Sequence, residues 1–214
     1  MKVLVFGLGT FGGQIAVARS FAKKGAEVVV TDKKPREKLE DSVRELDGLG
    51  VRFVLGEHKD EDIESADLIV RSPAVPPTEP HLARARGKVT TEIVLTLSAL
   101  RAPYAAVTGT KGKSTTTTLA GRMLEAGGHR VLVGGNIGHA LSAQVDQSTD
   151  DTIHVVETSS FQLEQIDTFH PWIAVMLNFS PDHLDRHPNV EEYGAAKARI
   201  FENQEPSDWA VINA

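Results

Sequence analysis

Residues 104–121 read YAAVTGTKGKSTTTTLAG, and the fold class turns on how they are read. A short apolar run ends in glycine, and a Gly112-Lys113-Ser114 triplet opens the polar segment after it. Strand, glycine-rich loop and helix in that order form a phosphate-binding loop, in which backbone N–H groups and a helix N-terminus face the anion. The usual pattern, G-x-x-x-x-G-K-[ST], has four residues between its glycines. Here only Thr110 and Lys111 separate Gly109 from Gly112, and Val107 stands where the first glycine belongs. The Lys113 ammonium can still reach β- and γ-phosphate oxygens, and the Ser114 hydroxyl can bind Mg²⁺. A flexible polar loop capping a helix is the plainer alternative, and the strand before it and the helix after it weigh against that. Thr115 to Thr118 are individually poor helix formers, so a run of them at a helix start points to capping and ligand contact.

On both sides of this stretch strand and helix alternate, the mark of parallel α/β architecture. Strands are expected at 2–6, 27–32, 51–56 and 67–72, with a helix closed by Gly25, another over 35–50 and a short acidic one at 60–65. A proline-rich loop, PAVPPTEP, covers 73–80. Near residue 90 the pattern restarts with a helix over 90–100, and strands are expected at 103–109, 130–136, 152–160, 171–180 and 208–214. Helices occupy 113–128, directly after the loop, and 189–204. Two domains are therefore expected, 1–90 and 91–214. The second closes on a strand where a covering helix is usual, so a truncated chain is expected.

The first domain carries its own phosphate-type loop. GLGTFG, residues 7–12, is a G-x-G-x-x-G directly after a strand and opening a helix, and Asp32 ends the next strand 20 residues after Gly12. That is the context of a dinucleotide-binding fingerprint; a tight βα turn is the alternative. A dehydrogenase would explain this loop alone and a simple NTPase the other alone. A protein that binds a nucleotide-linked substrate together with ATP explains both.

Further candidates stand at strand ends, where α/β sheets bind ligands. Glu157 ends IHVVE and can ligate Mg²⁺ beside Ser114; Asn136 lies in the comparable loop GGNIG, where it can also be a plain turn residue. His183, between Asp182 and Asp185 in NFSPDHLDRH, can bind a metal with a carboxylate orienting it. His58, His81, His129 and His170 have no such setting and read as structural or solvated. Lys197, among alanines in YGAAKARIF, reads as an ordinary solvated lysine. Composition sets outer bounds. The 214 residues are 41% hydrophobic and 24% charged, ordinary for a folded protein, and the net charge of −6 weighs against a nucleic-acid partner. With no cysteine there are no disulfides and no thiolate sites. No apolar run approaches the ~20 residues a membrane helix needs, and the chain enters a strand at once, so neither a membrane segment nor a signal peptide is expected.

These motifs, in this order, resemble the Mur ligase family of peptidoglycan synthesis, whose variant ATP loop T-G-T-x-G-K-[ST]-[ST] matches Thr108 to Thr115. The resemblance implies that the short glycine spacing is that family's form of the phosphate loop. GLGTFG, G-K-S-T, ETSSFQLE (157–164) and DHLDRH followed by YGAAKARIFENQ are most similar to the branch that adds D-glutamate to UDP-N-acetylmuramoyl-L-alanine. A Rossmann-like UDP-substrate domain, then part of a P-loop-type ATPase domain, is the implied fold. A third, C-terminal domain would be absent, and the chain by itself inactive. The implied activity is ATP-driven amide formation through an acyl phosphate, in the cytoplasm, by a monomer. By the same resemblance, ATP lies on Gly109, Thr110, Lys111, Gly112, Lys113, Ser114 and Thr115. One Mg²⁺ is held near Ser114 and Glu157, a second by His183 and a carbamylated Lys197, and Lys113, His183 and Lys197 are catalytic. Gly9, Thr10, Phe11, Asp32 and Asn136 meet the UDP-substrate. Lys111 departs from the family pattern, which has Asn or His there. Sister ligases for L-alanine, diaminopimelate or folylpolyglutamate, and a non-catalytic nucleotide-binding module, remain the alternatives.

Overall fold

The computed structural model describes residues 1–10, 12–100, 102–137 and 140–213. It separates into two compact units, Met1–Leu95 and Thr96–Ala214. The first contains β1 (Lys2–Phe6), α1 (Gly13–Lys23), β2 (Glu27–Asp32), α2 (Glu40–Arg44), β3 (Arg52–Leu55), α3 (Asp60–Ser65), β4 (Leu68–Arg71) and β5 (Lys88–Thr91). Helix α4 (Glu92–Ala99) runs across the division. The second contains β6 (Tyr104–Thr108), α5 (Lys113–Ala126), β7 (Arg130–Gly135), β8 (Thr152–Glu157), α6 (Ser160–Leu163), β9 (Ile173–Met176), α7 (Val190–Ala198) and β10 (Trp209–Ile212).

Each unit is built on one five-stranded sheet, in the orders β3-β2-β1-β4-β5 and β10-β9-β6-β8-β7, with every pairing parallel. A parallel sheet covered on both faces needs strands that are apolar at successive positions. β1 meets this with Val3, Leu4, Val5 and Phe6 all fully buried. Val3 and Val5 join Val28, Val30 and Val70 under α1, while Leu4 and Phe6 join Val29 and Ile69 on the other face. Burying one such side chain favours folding by ~1.5–3 kcal/mol, so the central strand anchors the unit.

Three differences from the sequence reading have physical causes. The helix expected over 35–50 is only a 3₁₀ turn at Arg36–Lys38 and α2, because Leu39 leaves the helical conformation at φ −125° and the segment after Arg44 closes in turns with Gly48 and Gly50 at positive φ. Strand β5 takes in Thr90 and Thr91, expected to start a helix, and pairs Val70 with Thr90 and Arg71 with Thr91. Its sequence KVTT is short and half polar, so it carries no apolar run; being an edge strand it needs only Thr90 and Thr91 buried. Strand β8 stops at Glu157, since Ser159 and Gln162 form a capping box that starts α6. Among the described residues no helix is long and apolar enough to cross a membrane.

Candidate functional site

The loop after β6 is shaped by its glycines and fixed by a neighbouring strand end. Gly109 and Gly112 take φ of 148° and 81°, which a side chain disfavours. Gly112 is the N-terminal cap of α5, so the first N–H groups of that helix open toward the loop. Asn178, just past β9, accepts from the backbone N–H of Thr110 and of Lys111 at 3.2 and 2.9 Å, and donates to the Lys111 carbonyl at 2.9 Å. The Thr110 hydroxyl donates to the Ser180 carbonyl at 3.1 Å and lies 3.3 Å from the Tyr193 hydroxyl. The loop is therefore braced by the protein's own groups.

Lys113 and Lys197 converge behind it. Lys113 Nζ donates to the carbonyls of Gly109 and Thr110 at 3.0 and 3.1 Å, and Lys197 Nζ to the same Gly109 carbonyl at 2.8 Å. Lys197 is not the solvated lysine its alanine-rich surroundings suggested: it is 2% exposed, with its ammonium 4.7 Å from the centre of the Tyr193 ring. On α7, Tyr193, Ala196 and Lys197 share one face at helical spacing, and that face is buried. Desolvation, helped by the nearby charge of Lys113 and opposed by Asp182, pulls the Lys197 ammonium down to about 8. Burial pushes the Tyr193 phenol up, so its hydroxyl stays protonated.

On the other side of the loop, Ser114 Oγ donates to Glu157 Oε2 at 2.7 Å and Asn136 Nδ2 donates to Glu157 Oε1 at 3.0 Å. The Asn136 backbone N–H also reaches the Glu157 carbonyl at 2.9 Å. A Cβ on Gly135 would lie 2.3 Å from that carbonyl, so only glycine lets β7 come so close. Glu157 is 2% exposed, and its carboxylate is met by a hydroxyl and an amide, both neutral. Hydroxyl and carboxylate oxygens converging at the mouth of a phosphate loop are the donor set a hard divalent cation takes.

His183 stands apart from that group. Its backbone has φ 53°, held by its own N–H donating to Asp182 Oδ1 at 2.9 Å. Its ring lies edge-on to Phe161 and Tyr193, 5.1 and 6.1 Å between centroids. Among the described residues no three His, Asp or Glu side chains gather as a metal site. The Tyr193 ring links His183 to Lys197, and as an ammonium Lys197 does not fit a metal. Nearby His187 is buried between Ser160 Oγ at 3.0 Å and Glu164 at 3.4 Å, and burial lowers its pKa. Thr115 is exposed at the start of α5.

The first loop has a different holder. Gly7, Gly9 and Gly12 take φ of 84°, 59° and 81°. Asp32, 8% exposed, accepts from the N–H of Gly9 at 3.1 Å and of Lys34 at 2.8 Å, and the Ser42 hydroxyl donates to the Gly9 carbonyl at 2.9 Å. Thr10 is exposed at the loop's crest; Phe11 lies outside the described residues. His58 stacks on Phe6 at 4.1 Å and shares a hydrogen bond with Thr31, so it serves the unit's own packing.

Sequence reasoning missed Asn178 and Tyr193. Asn178 carried the signal that picked out Glu157, a polar residue at the carboxyl end of a strand. Tyr193 was marked only by its four-residue spacing from Lys197.

Known proteins match this chain along the same division. Residues 1–94 match the family model described as Mur ligase MurD-like, N-terminal domain, and residues 107–214 match the Mur ligase middle domain. A protein of Geobacter metallireducens named UDP-N-acetylmuramoylalanine--D-glutamate ligase is 49% identical over 99% of this chain and 47% of its own length. One of the same name from Pelotomaculum thermopropionicum is 47% identical over the same shares. The chain thus spans about half the length of the curated relatives it matches. The UDP-N-acetylmuramate:L-alanyl-gamma-D-glutamyl-meso-diaminopimelate ligase of Neisseria meningitides has the same fold, with a TM-score of 0.61 at 17% identity over 100% of this chain and 71% of that one.

Proposed function

We propose, because the chain belongs to the Mur ligase family, that it acts in an ATP-dependent ligase joining D-glutamate to UDP-N-acetylmuramoyl-L-alanine in peptidoglycan synthesis. The observation that carries the reading is the pairing of Ser114 with Glu157 at the mouth of a braced Gly-Lys-Ser loop. The relatives' name supplies the substrates.

In this reading the loop from Gly109 to Thr115 binds the ATP phosphates, and Lys113 leaves its carbonyl partners to neutralise the β- and γ-oxygens. The substrate carboxylate attacks the γ-phosphorus, the bond to ADP breaks, and an acyl phosphate forms. The D-glutamate amine then attacks the acyl carbon; phosphate leaves and the amine loses a proton. Charge on the transferring oxygens is the main obstacle, so preset cations are the main catalytic device. Ser114 and Glu157 would hold Mg²⁺, which supplies further neutralisation of those oxygens. Asn136 orients Glu157, and the family resemblance supports giving it a contact to the UDP-substrate. Lys197 would help hold a second cation only after its neutral amine adds CO₂ and loses a proton, giving a carbamate anion against the same Tyr193 ring that His183 meets edge-on. Its lowered pKa raises the reactive neutral fraction at neutral pH. Gly9, Thr10, Phe11 and Asp32 belong to the UDP end, with Asp32 acting through the loop it holds. Nucleotide substrates of this kind belong to the cytoplasm.

The test is phosphate release by the intact natural protein with MgATP and UDP-N-acetylmuramoyl-L-alanine, as a function of added amino acid. Release that depends on D-glutamate, with ¹⁸O passing from the substrate carboxylate to phosphate, is the expected result. Release driven by L-alanine with UDP-N-acetylmuramate, or by diaminopimelate with a longer UDP-peptide, would overturn the substrate assignment.

A further inference from the structure

Lys111 stands at the crest of the phosphate loop, between two glycines of positive φ. One side chain grips its backbone from both sides: Asn178 accepts from its N–H and donates to its carbonyl, each at 2.9 Å. Its own ammonium is exposed and forms no hydrogen bond or ion pair with another described residue. The two other lysines at this loop differ, since Lys113 and Lys197 are engaged with the carbonyls of Gly109 and Thr110. Lys111 also lines a cleft of about 450 Å³ together with Gly112, Thr116, Leu177, Val211 and Asn213. It is the one charged residue among the described residues lining that cleft.

With the backbone already fixed, closing on an anion costs only the rotamer freedom of the Lys111 side chain, and among the described residues no carboxylate competes for this one. We propose that Lys111 is a second cationic side-chain contact to the nucleotide's phosphates beside Lys113, reaching them from the cleft side of the loop and setting how strongly the site discriminates nucleotides by phosphate number. The proposal rests on the reading of Thr108 to Thr115 as the ATP loop. The attraction of a fixed charge grows with the charge of its ligand, so the contact strengthens from AMP through ADP to a triphosphate.

Calorimetric binding of AMP, MgADP and a non-hydrolysable MgATP analogue tests this in the intact natural protein and in Lys111→Asn, Lys111→Arg and Lys113→Ala. Lys111→Asn leaves the Asn178 grip intact, because that grip is on the backbone. It should weaken the triphosphate about five- to tenfold, as expected for one partly exposed charge-assisted contact. MgADP should weaken less, AMP within about twofold, and raising salt should narrow the difference. Lys111→Arg should restore triphosphate affinity to within about twofold. Unchanged triphosphate affinity in Lys111→Asn, with a clear loss in Lys113→Ala, overturns the proposal and leaves the loop reading standing. An equal loss for all three nucleotides also overturns it, since that marks a disturbed loop. If Lys113→Ala changes nothing either, the loop reading falls and the proposal with it.

Discussion

The two glycine-rich loops are built alike and charged differently. Each follows the central strand of a five-stranded parallel sheet, β1 or β6. Each enters its helix through a glycine of φ 81°, Gly12 or Gly112. Each is held from a neighbouring strand end, by Asp32 at the close of β2 or by Asn178 beyond β9. But Asp32 places a negative charge behind its loop, whereas Asn178 is neutral and its loop carries Lys111 and Lys113, with Lys197 beneath. Glycine sets the shape in both; charge sets the chemistry. A loop backed by a carboxylate offers a phosphate its backbone N–H groups but no cation to stabilise its transfer. A loop ringed by cations suits one whose charge moves during reaction.

The largest difference between the loops should appear in Lys113→Ala, which should lower kcat of the intact protein by about 10²–10³, the size found for one preset electrostatic donor. Binding of the UDP-substrate should not move. Equal losses in both would mean that the loops do not divide the work.

The next effect concerns Lys197. Its pKa falls from 10.5 to about 8 on folding, so the folded state binds fewer protons than the unfolded state between those values and stability rises with pH there. Below pH 8 the buried charge is a full burden. Lys197→Met, measured by chemical denaturation without CO₂, should therefore be more stable than the parent by up to about 3 kcal/mol near pH 7. The advantage should shrink as pH rises from 8 toward 10.5. A pH-independent difference would show that Lys197 keeps its proton throughout.

Asp32→Ala removes the acceptor for the N–H groups of Gly9 and Lys34, a cost of about 1.5–3 kcal/mol for lost hydrogen bonds to a charged acceptor. Thermal melts should report it, together with weaker UDP-substrate binding and unchanged MgATP binding. The smallest effect is Tyr193→Phe. It deletes the contact with the Thr110 hydroxyl but keeps the ring over Lys197, so stability should fall by about 0.5–1.5 kcal/mol. A larger fall would mean that the hydroxyl, rather than the ring, organises the pocket.

These residues also show what a sequence makes legible. Alternating apolar runs and glycines announced both sheets, because buried parallel strands and tight βα turns leave few residue choices. Ser114 and Glu157 were visible as a loop hydroxyl and a strand-end carboxylate, and the structure brings them within 2.7 Å. Strand β5 was not visible, because an edge strand with two exposed residues does not need an apolar run. Lys197 was misjudged because burial of a lysine depends on the Tyr193 ring and the Gly109 carbonyl, 88 residues away in sequence. Asn178 shares with Glu157 its place at a strand end, but an amide there is a weaker sign than a carboxylate, and its grip on a backbone adds no motif.

The division of labour between the loops is tested most directly by crossed calorimetry on the intact protein, titrating MgATP analogue and UDP-N-acetylmuramoyl-L-alanine into Lys113→Ala and Asp32→Ala. Lys113→Ala should lose the nucleoside triphosphate and keep the UDP-substrate, while Asp32→Ala should do the reverse. Loss of the triphosphate in Asp32→Ala with its retention in Lys113→Ala would contradict that division.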